Sequence, residues 1–156
     1  MRQFAALAVL FVVAVAPVLA IDGDKAMYIG GTVEIKEKME GKFDVSNENT
    51  FTFAYKRLTW TLPYDQIVEL EYGQKAGRRV AVGVLISPFA LFSKKRNHYL
   101  TISFKDQQGK EQAVVFELGK DIVRTTLKVL QVRSGKEIHF QDEEARKSIG
   151  GEKSQQ

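Results

Sequence analysis

Hydrophobic and polar residues alternate with a period of two along most of the chain beyond residue 21, and this pattern predicts β-strands. The clearest alternating stretches are residues 27–36, 51–55 and 58–62. Gly30-Gly31 allows a β-bulge inside the first stretch, and Lys56-Arg57 provides a tight turn between the other two. The residues that we expect to share one face of the first stretch are Met27, Ile29, Val33 and Ile35.

The remaining strand predictions cover both halves of the chain. Residues 42–45 predict a short strand, and residues 67–72 predict another that ends at Gly73. Residues 99–104 and 112–118 form the strongest hairpin pattern, because the loop between them contains Gly109, which readily adopts a positive φ. Together these stretches predict six or seven strands.

The hydrophobic period changes to that of a helix only near the C-terminus. Asp121 is a favourable residue for the helix N-terminus and Gly135 for the position just beyond its end, so we expect a helix over residues 121–133. Its apolar positions recur at helical spacing and are Ile122, Val123, Leu127 and Leu130. Residues 141–156 are charged and poor in large apolar groups, which predicts a disordered polar tail.

This order of elements predicts a mainly β fold with one C-terminal α-helix: a bent sheet or partly open barrel that the helix caps. The phrase Leu62-Pro63 followed by Ile67, the hairpin of residues 99–118 and the helix from Asp121 resemble bacterial domains of the pleckstrin-homology-like superfold, including the GRAM type. The resemblance covers about residues 27–140 and implies a binding scaffold, often for lipid headgroups or peptides. The chain lacks the basic phosphoinositide motif of eukaryotic members, so that ligand is not implied.

The N-terminus has the pattern of a secretory signal peptide. One basic residue, Arg2, precedes an apolar run over residues 4–21, and small or β-branched Val18 and Ala20 precede a cleavage point after residue 20. We therefore expect residues 1–20 to be removed and the domain to begin at residue 21; an uncleaved membrane anchor is the alternative. Both interpretations export the domain, so we expect a periplasmic or secreted protein.

A second apolar stretch is the most informative feature beyond the N-terminus. Thirteen uncharged residues, 80–92, lie between Arg78-Arg79 and Lys94-Lys95-Arg96. This basic-bracketed segment, residues 78–96, is too short to span a bilayer, which needs about 20 apolar residues. It is either a buried strand inside the domain or a surface element that binds a membrane or an apolar partner. The candidate binding residues are Arg78, Arg79, Leu85, Ile86, Phe89, Leu91, Phe92, Lys94, Lys95 and Arg96.

Residues with catalytic or metal-binding patterns are nearly absent. The chain has no Cys and two His, His98 and His139, without His-x-x-x-His spacing, so we expect no metal site and no cofactor. No Gly-x-Ser-x-Gly elbow occurs, and no Gly-Lys-Ser/Thr follows Gly30-Gly31. The alternating aromatic residues are interpreted as core. A net charge of +4 is mild, and an exported protein seldom meets nucleic acid, so we expect no nucleic-acid partner.

The sequence therefore predicts a non-enzymatic exported binding module that acts at a membrane surface or on a protein partner through residues 78–96. Two alternatives stay open. One is a structural envelope protein in which the apolar segment is buried, including against another copy in a homo-oligomer. The other is a carrier that holds a small ligand inside the barrel.

Overall fold

The computed structural model describes residues 25–74 and 97–150, so the predicted signal peptide lies outside the described residues. Eight strands form one sheet with the order β4-β3-β2-β1-β7-β6-β5-β8, in which all neighbours are antiparallel except β5 and β8. The strands are β1 Lys25–Gly31, β2 Met39–Asp44, β3 Thr50–Tyr55, β4 Leu58–Pro63, β5 Ile67–Gly73, β6 His98–Lys105, β7 Glu111–Leu118 and β8 Ile138–Phe140. Two helices, α1 Val123–Ser134 and α2 Glu143–Ser148, and a 3₁₀ turn, Tyr64–Gln66, complete the described elements.

The curled sheet and its C-terminal helix confirm the predicted fold class. The hairpins joined by Lys56-Arg57 and by the loop of Gly109 are confirmed, and Gly109 has the positive φ of 76° that its position requires. The described residues form eight strands rather than the six or seven predicted before the helix, and the additional strand, β8, contains three residues.

Aromatic side chains fill the concave side of the sheet, which we call the inner face. Phe116 on β7 lies at the centre, with ring-centroid distances of 5.7 Å to Tyr28, 5.1 Å to Phe43 and 4.9 Å to Phe53. The ring centroids of Trp60 on β4 and Phe104 on β6 are 5.8 Å apart, although these two strands are far apart in the sheet order. This contact shows that the sheet curls, and it confirms the interpretation of these aromatics as core.

A β-bulge in β1 redistributes the apolar residues that were expected to share a face. The register of β1 against β7 shifts between Tyr28 and Gly30. Met27 and Ile29 consequently lie on the convex, outer face, in a cluster separate from the main core. Val33 and Ile35, beyond the bulge, pack against the inner core. The prediction of a common face was wrong because one extra residue reverses the alternation.

Helix α1 covers the inner face with Val123, Leu127 and Leu130. Gly135 follows the helix with a φ of 68°, which confirms its predicted role beyond the C-terminus. The predicted N-terminal role of Asp121 is wrong. The residue before the first helical position is Ile122, and no side chain caps the helix there.

The prediction of a disordered tail from residue 141 is wrong as far as residue 150. The side chain of Asp142 accepts a hydrogen bond from the amide of Ala145 at 2.7 Å and so caps helix α2. Ala145 is fully buried in the main core. A short helix with a single small buried residue has no visible apolar stripe, which explains why the charged composition was misleading. Residues 151–156 lie outside the described residues.

Candidate functional site

The ten predicted binding residues all belong to residues 78–96 and lie outside the described residues. The structure does describe the point at which this part of the chain is attached. Strand β5 ends at Gly73 and β6 begins at His98, and the two strands are antiparallel neighbours in which Gly73 pairs with Tyr99. The two points at which residues 75–96 join the described chain are therefore adjacent. We call this place, residues 72–74 and 97–99, the root of the segment.

A hydrogen-bonded cluster of three polar side chains closes one side of the root. The hydroxyl of Tyr72 lies 2.6 Å from Nδ1 of His98 and 3.0 Å from Oγ of Ser148. The hydroxyl of Ser148 donates to the carbonyl of Ala145 at 2.7 Å. Since a serine hydroxyl has one proton, Ser148 accepts from Tyr72, and we assign the proton on Nδ1 of His98 as the donor to Tyr72. The cluster ties β5, β6 and α2 together.

Burial shifts the acid–base properties of two members of this cluster. Desolvation lowers the pKa of His98, and the nearby charge of Lys120 lowers it further. Desolvation also raises the pKa of Tyr72, against a smaller lowering by its hydrogen bond to Ser148. Both groups are therefore held in their neutral forms. Ser148 donates its proton to a main-chain carbonyl and is separated from His98 by Tyr72, an arrangement that serves structure rather than nucleophilic attack.

We expect the neutral form of His98 to make stability depend on pH. The folded-state pKa lies below the unfolded value of about 6.5. The stability that comes from keeping His98 neutral is thus fully present above the unfolded-state pKa. It is lost as the pH falls through the lower, folded-state pKa. Urea unfolding at pH 7.5 and pH 5 should give a smaller loss of unfolding free energy on acidification in His98→Gln than in the wild type. An equal loss in both proteins would contradict this prediction. His139→Gln, at an exposed position, controls for the substitution itself.

The other side of the root is held by amide and carboxylate groups. Nδ2 of Asn97 donates to the hydroxyl of Tyr99 at 3.3 Å, and burial raises the pKa of Glu117 against the opposing effect of a hydrogen bond with Asn97. Gln141 donates to Glu71 at 3.0 Å. A Cβ at Gly73 would overlap the end of the Gln141 side chain, which would have to move if another residue stood there.

The outer face of the sheet beside the root carries a second apolar cluster. It consists of Ile29, Tyr99 and Val115, with Met27 packed against it. Strand pairing places two further buried residues, Thr101 and Ala113, on the same face. We call these six residues the outer-face patch. At its far end the patch continues through Met27 into an open groove of about 590 Å³, which Lys25, Lys42 and Leu118 also line.

Acidic side chains border the outer-face patch, and two of them lie close to the root. The register pairs Glu117 with Tyr99 and Glu71 with Thr101, so both carboxylates project from the outer face next to the patch. Glu40 pairs with Met27 at the other margin. The described surface at the root is therefore an apolar centre with a partly acidic border.

Among residues 25–74 and 97–150, no group of three or more His, Asp or Glu side chains is arranged to hold a metal ion. In the same ranges, no helix has both the length and the hydrophobicity needed to cross a membrane.

Sequence reasoning missed the part of the site that α2 contributes. Ser148, at the end of this helix, completes the cluster with Tyr72 and His98. The sequence did contain a signal for helix α2. Asp142 precedes two acidic residues in the first turn, and Arg146-Lys147 lies in the last turn, which is the charge order typical of a helix. The pairing of His98 with Tyr72 had no signal in the sequence.

The sequence matches no protein-family model and no curated protein sequence.

Proposed function

We propose that the protein is a non-enzymatic, exported binding module that holds the basic-bracketed segment at an anionic membrane surface. The observation that supports this proposal is the geometry of the root, where the two attachment points of the segment are adjacent. Both ends of the segment join the domain at paired residues, Gly73 and Tyr99. In sequence, Arg78-Arg79 follows Gln74 closely and Lys94-Lys95-Arg96 directly precedes Asn97, so two basic groups start from one point on the domain.

The strength of such an interaction follows from the composition of the segment. Each cation near an anionic membrane contributes about 1 kcal/mol. Each large apolar residue that enters the interface contributes about 0.3–0.6 kcal/mol. Five cations and five large apolar residues give roughly 7 kcal/mol together, which approaches micromolar affinity. Much of this is electrostatic, so binding should weaken as the salt concentration rises.

The interior of the described sheet gives less support to the small-ligand carrier. Rings of Phe43, Phe51, Phe53 and Phe116 occupy the concave side, and each is at most 1% exposed. Ligand pockets combine an open cavity with convergent polar groups, whereas this space is occupied by the core itself. We therefore place the binding function on the surface at the root.

Vesicle flotation tests the proposal with protein that lacks residues 1–20, because the N-terminal apolar run would itself partition into lipid. We expect the protein to float with vesicles rich in anionic lipid and to be released at high salt. The double variant Phe89→Asp, Leu91→Asp should bind at least tenfold more weakly, since it places charges where apolar contact is needed.

A matched control carries the same added charge elsewhere. Thr59 and Thr61 are exposed on β4, so Thr59→Asp, Thr61→Asp should retain most of the vesicle binding. If no anionic vesicle recruits the wild-type protein at low salt, the membrane proposal is wrong. The alternative hypothesis, that the segment binds a protein partner, then replaces it.

A further inference from the structure

Strand β4 lies at one end of the sheet order and pairs with β3 on one side only, as far as the described strands are concerned. We call its other side the β4 edge. The register between β3 and β4 is continuous over the whole of Leu58–Pro63, so β4 has no bulge. The side chains of Leu58, Thr59 and Thr61 are exposed. The β4 edge is therefore a regular strand edge that meets solvent.

The β4 edge lacks the features that usually protect sheet edges from pairing with other chains. Natural edges are protected by charged side chains, bulges or very short strands. At the opposite end of the sheet, β8 has only three residues. In contrast, β4 has six residues and none of them is charged. A strand of this length and composition is a template for a further strand.

The register shows which main-chain groups point away from β3. The N–H of Tyr64 donates to the carbonyl of Asn49 at 2.9 Å, in continuation of the β3–β4 pairing. Hydrogen-bonded and non-hydrogen-bonded residues alternate along an antiparallel pair. Residues with the parity of Tyr64 therefore bond to β3, whereas Thr59 and Thr61 direct their N–H and C=O groups to the β4 edge. Pro63 shares this outward parity and has no N–H.

We infer that the β4 edge binds the β4 edge of a second copy of this chain, antiparallel, in a symmetric dimer centred on Trp60. In this register, Thr59 of one copy and Thr61 of the other exchange both main-chain hydrogen bonds, and the two-fold axis repeats the pair. Shifted registers are poorer. They place Thr59 opposite Pro63, which lacks an N–H, or Thr61 opposite the turn residue Arg57.

Side-chain chemistry supports a second copy as the occupant. The alignment brings the turn Lys56-Arg57 of one copy alongside the residues that follow Pro63 in the other, which include the exposed Asp65. Opposite charges therefore meet at both ends of the paired strands. Leu58, which is 60% exposed, lies opposite Leu62 of the other copy and loses contact with water.

Self-association through the β4 edge goes beyond the proposed function and does not depend on it, because it uses no residue of the basic-bracketed segment. A single strand pair is a small interface, of the size found in weak and transient complexes. We expect a dissociation constant of about 10–100 µM. Vesicle flotation does not measure this association, so the two proposals can fail separately.

Sedimentation velocity of the mature chain, residues 21–156, tests the inference with a protein that contains every described element. The wild type should dimerise in the expected concentration range. Thr59→Lys, Thr61→Lys should weaken dimerisation at least tenfold, because cations then stand opposite one another, while lysine is well tolerated on an edge strand. Thr125→Lys, Val132→Lys adds the same charge at exposed positions of α1 and should dimerise like the wild type.

Disulfide crosslinking tests the register, because the natural sequence has no Cys. Hydrogen-bonded partners in an antiparallel pair have Cα atoms about 5.5 Å apart, which suits a disulfide. When Thr59→Cys is mixed with a tagged Thr61→Cys and mildly oxidised, the mixed dimer should form at least fivefold faster than either self-linked dimer. The inference is overturned if the wild type is a monomer at about 500 µM, if the lysine variant associates as tightly as the wild type, or if the mixed dimer is not preferred.

Discussion

Replacing Phe116 with alanine is expected to reduce the free energy of unfolding by about 3–5 kcal/mol, the range for removing a large buried aromatic side chain. Phe116 is fully buried and contacts Tyr28, Phe43, Phe53 and Trp60 through ring pairs with centroid distances between 4.9 and 6.2 Å. The contacting rings come from four strands, so no single element can move to fill the space. Urea or thermal unfolding measures the loss.

Leu58→Ala provides the matched control for this prediction. Leu58 lies at the start of β4 and is 60% exposed, so its truncation should change the unfolding free energy by about 0.5 kcal/mol or less. Comparable losses in the two variants would show that the ring cluster is not the centre of the core.

The sequence predicted the fold class because alternation is strong wherever a strand buries only one face. The hairpin over residues 51–62 was found in this way. The hairpin over residues 99–118 was recognised with the help of the Gly109 loop between its strands, and the helix from residue 121 was recognised from its helical period. Alternation is a weaker guide where strands are buried on both faces. Thr101, Ile102, Val114 and Val115 are all buried, so these central strands do not reveal which residues face outwards.

The candidate site was predictable only in part, for physical reasons. A hydrophobic run with basic ends can be read directly from composition, and its position between two strands followed from their patterns. The register that brings Gly73 opposite Tyr99, and Glu71 and Glu117 beside the outer-face patch, arises from pairing between residues far apart in the chain. No local pattern records such a pairing. The same limit applies to the contact between His98 and Tyr72, which are 26 positions apart.

Arg133→Ala is expected to lower the free energy of unfolding by about 2–3 kcal/mol, because its guanidinium joins the end of α1 to the loop between β2 and β3. The Nη1 group of Arg133 donates to the carbonyls of Val45 and Asn47 and, at 3.2 Å, to the hydroxyl of Tyr64. The guanidinium also lies over the Tyr64 ring, 5.6 Å from its centroid. Without this side chain, the carbonyls of Val45 and Asn47 lose their donor, and the loop between β2 and β3 loses its contact with α1. Arg133→Lys should recover only part of the loss, since an ammonium group lacks the planar set of donors.

The exposed Lys128 of the same helix provides the control, because Lys128→Ala removes an equal charge without a described contact to the loop. It should change stability by about 0.5 kcal/mol or less. Amide hydrogen exchange adds a readout specific to the proposed role. In Arg133→Ala, protection should fall most in residues 45–49, whereas the amides of β6 and β7 should lose no more protection than the change in global stability accounts for. A uniform loss of protection across the sheet, or a stability equal to that of Lys128→Ala, would contradict an anchoring role for Arg133.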